Sequence, residues 1–155
     1  MLTVSKVLRQ PPTSMNEPLP FLVYGTLRVG EHNWTRYLKN RSIHVSTVHV
    51  PGYCLYTNGS FPYAVKSHSR SDSIVCDVIL PHPSRAADIL RAVDNLEGYG
   101  GIGASDNHYT RLAVPWGAVR APEGYGWLYV ASDWSESLLT ARRLPVIPSG
   151  DWLDR

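Results

Sequence analysis

The sequence predicts one mixed α+β domain, on two observations. Short apolar runs rich in aromatic and branched residues recur along the chain and read as six or so strands: FLVY at 21–24, YCLY at 53–56, IVCDVIL at 74–80, YTRLAV at 109–114 and YGWLYV at 125–130 among them. One stretch, 85–96, carries apolar residues at clear helical spacing, with Ala86, Ile89, Leu90, Val93 and Leu96 on one face. At 155 residues the chain is the size of an ordinary domain with a proper core.

Taken in order, residues 1–19 hold Pro11, Pro12 and Pro18, show no sustained periodicity, and are expected to form a loose tail. The strand at 21–24 stops at Gly25, where glycine opens backbone angles closed to other residues. Thr26-Leu27-Arg28 then makes a tight loop, Gly30 closes it, and Asn33 is placed to cap a short helix over 34–38. Over 43–50, Ile43, Val45 and Thr47 alternate with His44, Ser46 and Val48, which predicts a strand with one solvated face; His44 and His49 read as surface or edge residues. Pro51-Gly52 turns the chain into the strand at 53–56. Asn58-Gly59 signals a hairpin, followed by 61–65 and a polar tip over 67–73. Asp77 inside the 74–80 strand is either exposed at an edge or faces a polar cavity.

Pro81-His82-Pro83 ends that strand, and Ser84 is placed to cap the helix over 85–96, which Gly98 terminates. Asp94 and Glu97, three apart, neighbour each other at its end. Four glycines in 98–103 predict a flexible loop able to close over a cleft. The last strands, 116–120 and 125–130, are expected to be split by an Ala-Pro-Glu-Gly turn.

A formal charge of +2 with no Lys/Arg cluster argues against a nucleic-acid partner. Cys54 and Cys76 are 22 apart, without metal spacing, in strand-like runs; buried free thiols are the expectation. No apolar run reaches the ~18 residues of a membrane span, and the N-terminus lacks a signal-peptide h-region, so no membrane partner and a cytoplasmic setting are expected.

Two stretches carry chemistry. A strand ending in Gly-Thr ahead of a helix leaves backbone N–H groups pointing into a cleft, where they bind an anion or a polarised carbonyl. Glu97, at a helix C-terminus, meets the negative end of the dipole, which raises a carboxyl pKa and suits a proton carrier. The first stretch, YGTLR at 24–28 with GEHN at 30–33, and the second, Asp94-Asn95-Leu96-Glu97-Gly98-Tyr99, resemble the signature segments of the gamma-glutamylcyclotransferase-like family, nearest its gamma-glutamylamine cyclotransferase branch. The family's second segment reads Leu-Asp-x-x-Glu-Gly-Tyr, and Val93 stands in the leucine position. Looser matches are Gly52 with Leu55-Tyr56, Phe61-Pro62-Tyr63, Tyr109 with Arg111, and Gly150-Asp151-Trp152, so the resemblance runs from about 21 to 152. It departs at Cys76-Asp77, where the family commonly has Gly-Glu, and this is expected to alter the cavity wall.

The resemblance implies a small, mainly antiparallel β-barrel flanked by one principal helix and short helices, in a single domain over 20–155. It implies that the backbone of Tyr24, Gly25, Thr26 and Leu27 holds a γ-glutamyl group and that Glu97 is the catalytic acid/base, without metal or cofactor. Asp94 is then structural, hydrogen-bonding the loop that follows. Arg111 either neutralises a carboxylate near the site or pairs with Asp94, and Tyr129 is a candidate to reach the cleft. Such chains commonly start near Met15, making it an alternative first residue.

The chemistry is self-contained. In a γ-glutamyl amide the α-amine can close a five-membered ring on the γ-carbonyl, expel the amine and leave 5-oxoproline. Proximity in such a ring closure is worth up to ~7–11 kcal/mol. One carboxylate serves as base and then acid, and the loop N–H groups hold either the oxyanion or the α-carboxylate. The alternatives are a non-catalytic module that binds a γ-glutamyl or other carboxylate-bearing ligand, and a hydrolase in which Glu97 activates water. Neither cysteine has a histidine in a motif that would make it a nucleophile. The leaving group and the oligomeric state stay open.

Overall fold

A computed structural model describes residues 11–118 and 121–155. Its strands are β1 (Phe21–Val23), β2 (Ser42–Pro51), β3 (Tyr53–Thr57), β4 (Pro62–Lys66), β5 (Ser73–Pro81), β6 (Tyr109–Ala118), β7 (Ala121–Ala131) and β8 (Val146–Ile147). The α-helices are α1 (His32–Tyr37), α2 (Ala86–Leu96) and α3 (Asp133–Ala141). The fold is mixed α+β, a curled central sheet with few helices.

The strands form one sheet in the order β2-β5-β1-β7-β4-β3-β8, and β6 adds to β7. Pairing is antiparallel except where β7 meets β1 and β4. The implied barrel takes the form of this curled sheet, with β2 and β8 at the two ends of the hydrogen-bonded order.

Alternation builds two cores from one sheet. Phe21 and Val23 face one cluster with Trp127, Tyr129 and Ile79, whereas Leu22 and Tyr24 face the other with Leu128, Val78 and Ile74. Helix α2 lays Ala86, Ile89 and Val93 on the first, as its spacing predicts.

Several local expectations are corrected. Of the tail expected over 1–19, the first ten residues lie outside the described ones. From Met15 the chain is docked: the Met15 carbonyl accepts from Arg111 Nη1 (2.5 Å), the Glu17 carbonyl accepts from Trp127 Nε1 (2.9 Å), and Leu19 is buried. In β2 a bulge between His44 and Ser46 changes the inward parity. Ile43 and Val45 are therefore exposed while Val50 is buried. Ala121-Pro122-Glu123-Gly124 is no turn but the start of β7, paired with the end of β6; Val119 and Arg120 lie outside the described residues. Ser84 sits in a 3₁₀ turn over Pro83–Arg85, and α2 starts beyond it without a side-chain cap. Helix α3 had no counterpart in the expected elements; Ser132 caps it by accepting from Ser135 N–H. Among the described residues, no helix is long and apolar enough to cross a membrane.

Candidate active site

Where β1 leaves the sheet, its loop walls a cavity of about 410 Å³. Leu22 to Leu27 form one side, Phe61 and Pro62 of the β3–β4 hairpin a second, and Glu97, His108, Tyr109 and Tyr129 the far side. All four loop residues expected to bind substrate and the expected acid/base thus line one space.

Gly25 is required there by closeness. A Cβ on Gly25 would lie 2.7 and 2.9 Å from Pro62 Cγ and Cδ, and its φ is not in the left-handed region. The expected reason, backbone freedom, is replaced by packing. Beyond it, the Thr26 carbonyl accepts from the Asn33 and Trp34 N–H groups (3.1 and 3.2 Å), and Asn33 Nδ2 donates to Thr26 Oγ1 (2.9 Å). Asn33 therefore lies inside α1 and ties it to the loop; the cap position belongs to Glu31, which makes no side-chain cap. Among the described residues, the N–H groups of Gly25, Thr26 and Leu27 have no acceptor, which leaves three donors on the loop that walls the cavity. The Tyr24 hydroxyl is committed to the sheet, donating to the Tyr129 carbonyl (2.5 Å) and accepting from Ala64 N–H (3.2 Å).

A buried ion cluster holds this loop from behind. Arg28, 5% exposed, meets Asp77 (Nε–Oδ2 3.3 Å) and Asp151 (Nη1–Oδ1 2.6 Å). Val29 N–H (3.0 Å) and the Thr47 hydroxyl (2.7 Å) also donate to Asp77. Burial alone would raise the Asp77 carboxyl; the Thr47, Val29 and Arg28 donors and the Arg28 charge outweigh it and hold it below its ordinary value. Trp152 Nε1 reaches Glu31 Oε1 (3.2 Å), a second brace from the C-terminal segment. Asp77 is thus neither at an exposed edge nor in a polar cavity. Cys76 and Asp77 do not line the site, so the expected change of cavity wall does not occur; Cys76 is a buried free thiol and Cys54 a half-buried one.

Across the cavity, α2 ends in a Schellman turn. Tyr99 N–H donates to the Asp94 carbonyl (2.9 Å), Gly98 N–H to that of Asn95 (3.2 Å), and Gly98 has φ +63°. His108 and Tyr109 at the entry to β6 bond back to the Gly98 and Glu97 carbonyls (2.9 and 3.2 Å). This pins the Glu97 backbone while its side chain faces the cavity. Among the described residues, no hydrogen bond or ion pair reaches its carboxyl. Burial pushes it up to about 8.

Asp94 is built differently. Arg111 grips it with Nε (2.9 Å) and Nη2 (3.3 Å), and the Tyr129 hydroxyl donates to it (2.5 Å). Of the two alternatives for Arg111, pairing with Asp94 is the one realised. The Asp94 side chain bonds these groups and not the following loop, whose contact with Asp94 is through the carbonyl. That glycine-rich loop is clipped by Asn107, which accepts from Gly100 N–H (2.7 Å) and donates to the Gly101 carbonyl (2.8 Å), and it does not line the cavity. Tyr129 does reach the cavity wall. Phe61, Pro62, His108 and Tyr109 join it unannounced: the aromatic-Pro pair is visible in the sequence, but nothing local ties it to Gly25.

Comparison with known proteins agrees with this picture. The family described as gamma-glutamyl cyclotransferase, AIG2-like, matches residues 21–154. A Vibrio cholerae protein named "Putative gamma-glutamylcyclotransferase" is 31% identical over 133 residues, 86% of this chain and 94% of its own. The solution structure of ytfP from Escherichia coli is similar at a TM-score of 0.59 and 25% identity, over 88% of this chain and 98% of that one. An AIG2-like protein from Mus musculus shares the fold at a TM-score of 0.55 and 17% identity, over 83% of this chain and 84% of the other.

Proposed function

Since the chain belongs to the gamma-glutamyl cyclotransferase, AIG2-like family, we propose that it releases 5-oxoproline from a small γ-glutamyl amine or peptide, with Glu97 as acid/base. One observation carries the reading. A carboxyl pushed up to about 8, with no partner among the described residues, shares a 410 Å³ cavity with a loop whose three successive N–H groups have no acceptor among those residues.

In the proposed step, ionised Glu97 takes a proton from the substrate's α-ammonium. The freed amine attacks the γ-carbonyl and the ring closes. Glu97 then returns that proton to the departing amine. The second proton, shed by the ring nitrogen as the lactam forms, passes to the same amine, which leaves as an ammonium, so no proton is lost overall. A base with a pKa near the working pH does both tasks well. The Gly25, Thr26 and Leu27 N–H groups take the negative charge of the substrate, on the oxyanion or on the α-carboxylate. The ring closure is an acyl transfer within one molecule and needs no water. The low-dielectric wall of Leu22, Phe61 and Tyr109 strengthens each of these contacts.

The test is a 5-oxoproline assay over γ-glutamyl amines, γ-glutamyl amino acids and glutathione, with Glu97→Gln beside the parent. Release of 5-oxoproline by the parent alone is the expected result. Free glutamate in its place would make the protein a hydrolase. Ligand binding that Glu97→Gln leaves unchanged, with no turnover, would make it a binding module.

A further inference from the structure

Resting on the cyclotransferase reading, we infer that an aromatic strip from Tyr109 across His108 and Phe61 to Trp134 is the subsite for the leaving amine, and that it selects aryl-bearing amines without a carboxylate. The rings are contiguous. His108 lies edge-on to Tyr109 (centroids 5.0 Å) and to Phe61 (6.2 Å), and Trp134 lies 6.1 Å from His108 on the outer side. Tyr109, His108 and Phe61 line the cavity, and Trp134 stands 57% exposed beside them.

His108 is a wall here and not a proton carrier. Ser135 Oγ gives its hydrogen to the His108 carbonyl (2.6 Å), so it turns a lone pair to Nδ1 (3.4 Å). Nδ1 then carries the ring proton, and Nε2 accepts from the Tyr63 hydroxyl (2.9 Å). Both ring nitrogens are used, and burial lowers the imidazole pKa, so the ring stays neutral. The same Ser135 bolts α3 to the cavity wall and so fixes the neighbouring Trp134. The opposite face of α3 is what its core packing requires, through Leu139; the Trp134 indole has no such duty.

Charge decides what the strip accepts. Among the described residues, no lysine or arginine lines the cavity, and Glu97 is its one carboxylate. Arg142, at the end of α3, acts on the Tyr63 phenol but is exposed and outside the cavity lining. A carboxylate on the leaving group would enter beside Glu97 without a lysine or arginine on the wall. A flat ring would instead meet ring faces and edges, which aromatic side chains favour.

The experiment compares γ-glutamylphenethylamine, γ-glutamylphenylalanine and γ-glutamylmethylamine. The first two differ only in a carboxylate, and the third keeps the γ-glutamyl group alone. The expected kcat/KM is highest for γ-glutamylphenethylamine. Trp134→Ala should lower that value about three- to tenfold, Trp134→Tyr should restore most of it, and γ-glutamylmethylamine should be unaffected by either. Equal values for the two aryl compounds, or equal losses for all three in Trp134→Ala, overturn the subsite and leave the cyclotransferase reading intact. If none turns over, that reading fails. Calorimetric Kd values on the parent and on Trp134→Ala then decide the subsite: a preference for γ-glutamylphenethylamine that the variant loses sustains it, and no preference removes it.

Discussion

Asp77, buried behind the substrate loop, and Glu97, half-buried in front of it, are acids in very different company. Asp77 has a hydroxyl, a backbone N–H and a guanidinium, and is held low. Glu97 has no partner among the described residues and is pushed up to about 8. The first arrangement fixes a shape, because every charge in the cluster is answered. The second stores reactivity, because its carboxyl gains a partner only when a ligand arrives. Asp94, one turn before Glu97, belongs with Asp77: its Arg111 and Tyr129 bonds keep a cation occupied that could otherwise neutralise the site.

The sharpest way to break this contrast is at Glu97 itself. Glu97→Gln should cut 5-oxoproline formation by ~10²–10⁴-fold or more in kcat, measured by product assay, while leaving the circular dichroism unchanged. In the parent, kcat/KM should rise with pH up to about 8 as Glu97 ionises. Stability should move the other way. The folded carboxyl holds a proton that the unfolded chain, near its ordinary 4.5, has given up. Its contribution is complete below 4.5 and is lost as pH rises through 8. Glu97→Gln should therefore melt higher than the parent at pH 8–9, by an amount on the order of a few kcal/mol, and the gap should close toward pH 4.5.

At Asp77 the sign reverses. Its folded pKa lies below 3.8, so its stabilisation is present above 3.8 and is lost as pH falls through the folded value. Asp77→Ala leaves Arg28 buried with half its partners and should cost about 3–5 kcal/mol in urea unfolding at pH 7. A cost under 1 kcal/mol would mean the cluster is not what rigidifies the loop. Smaller still, Gly25→Ala places a methyl against Pro62 and should cost about 1–3 kcal/mol and raise KM more than it lowers kcat. Asn33→Ala, which removes one bond to the Thr26 hydroxyl, should cost about 1 kcal/mol and raise KM slightly.

Legibility in the sequence followed the range of the physics. The α2 face, the Asn58-Gly59 hairpin and the β5 run come from local periodicity and turn chemistry, and they lie where the sequence places them. The Gly25–Glu97 pairing was reachable only because two motifs resemble one family; neither motif says how the sheet brings them together. Long-range features were invisible. Nothing near Arg28 points to Asp77 or Asp151, and His108 joins the cavity through β6 pairing. Caps failed at Asn33 and Ser84 because tertiary bonds and a 3₁₀ turn decided those helix starts. Helix α3 did carry a local signal, Ser132 ahead of Asp133 and Glu136, in a stretch without strong periodicity.

The Arg28–Asp151 bond also sets a schedule. Its partners are 123 residues apart. On a ribosome adding ~5–20 residues per second, the second arrives roughly 6–25 s after the first. Until then the loop behind Gly25 lacks its clamp, and Trp152 has not reached Glu31. The nascent chain must pass through that interval with an unfinished pocket, so binding competence waits on the synthesis of Asp151 and Trp152, whatever the order in which the sheet assembles.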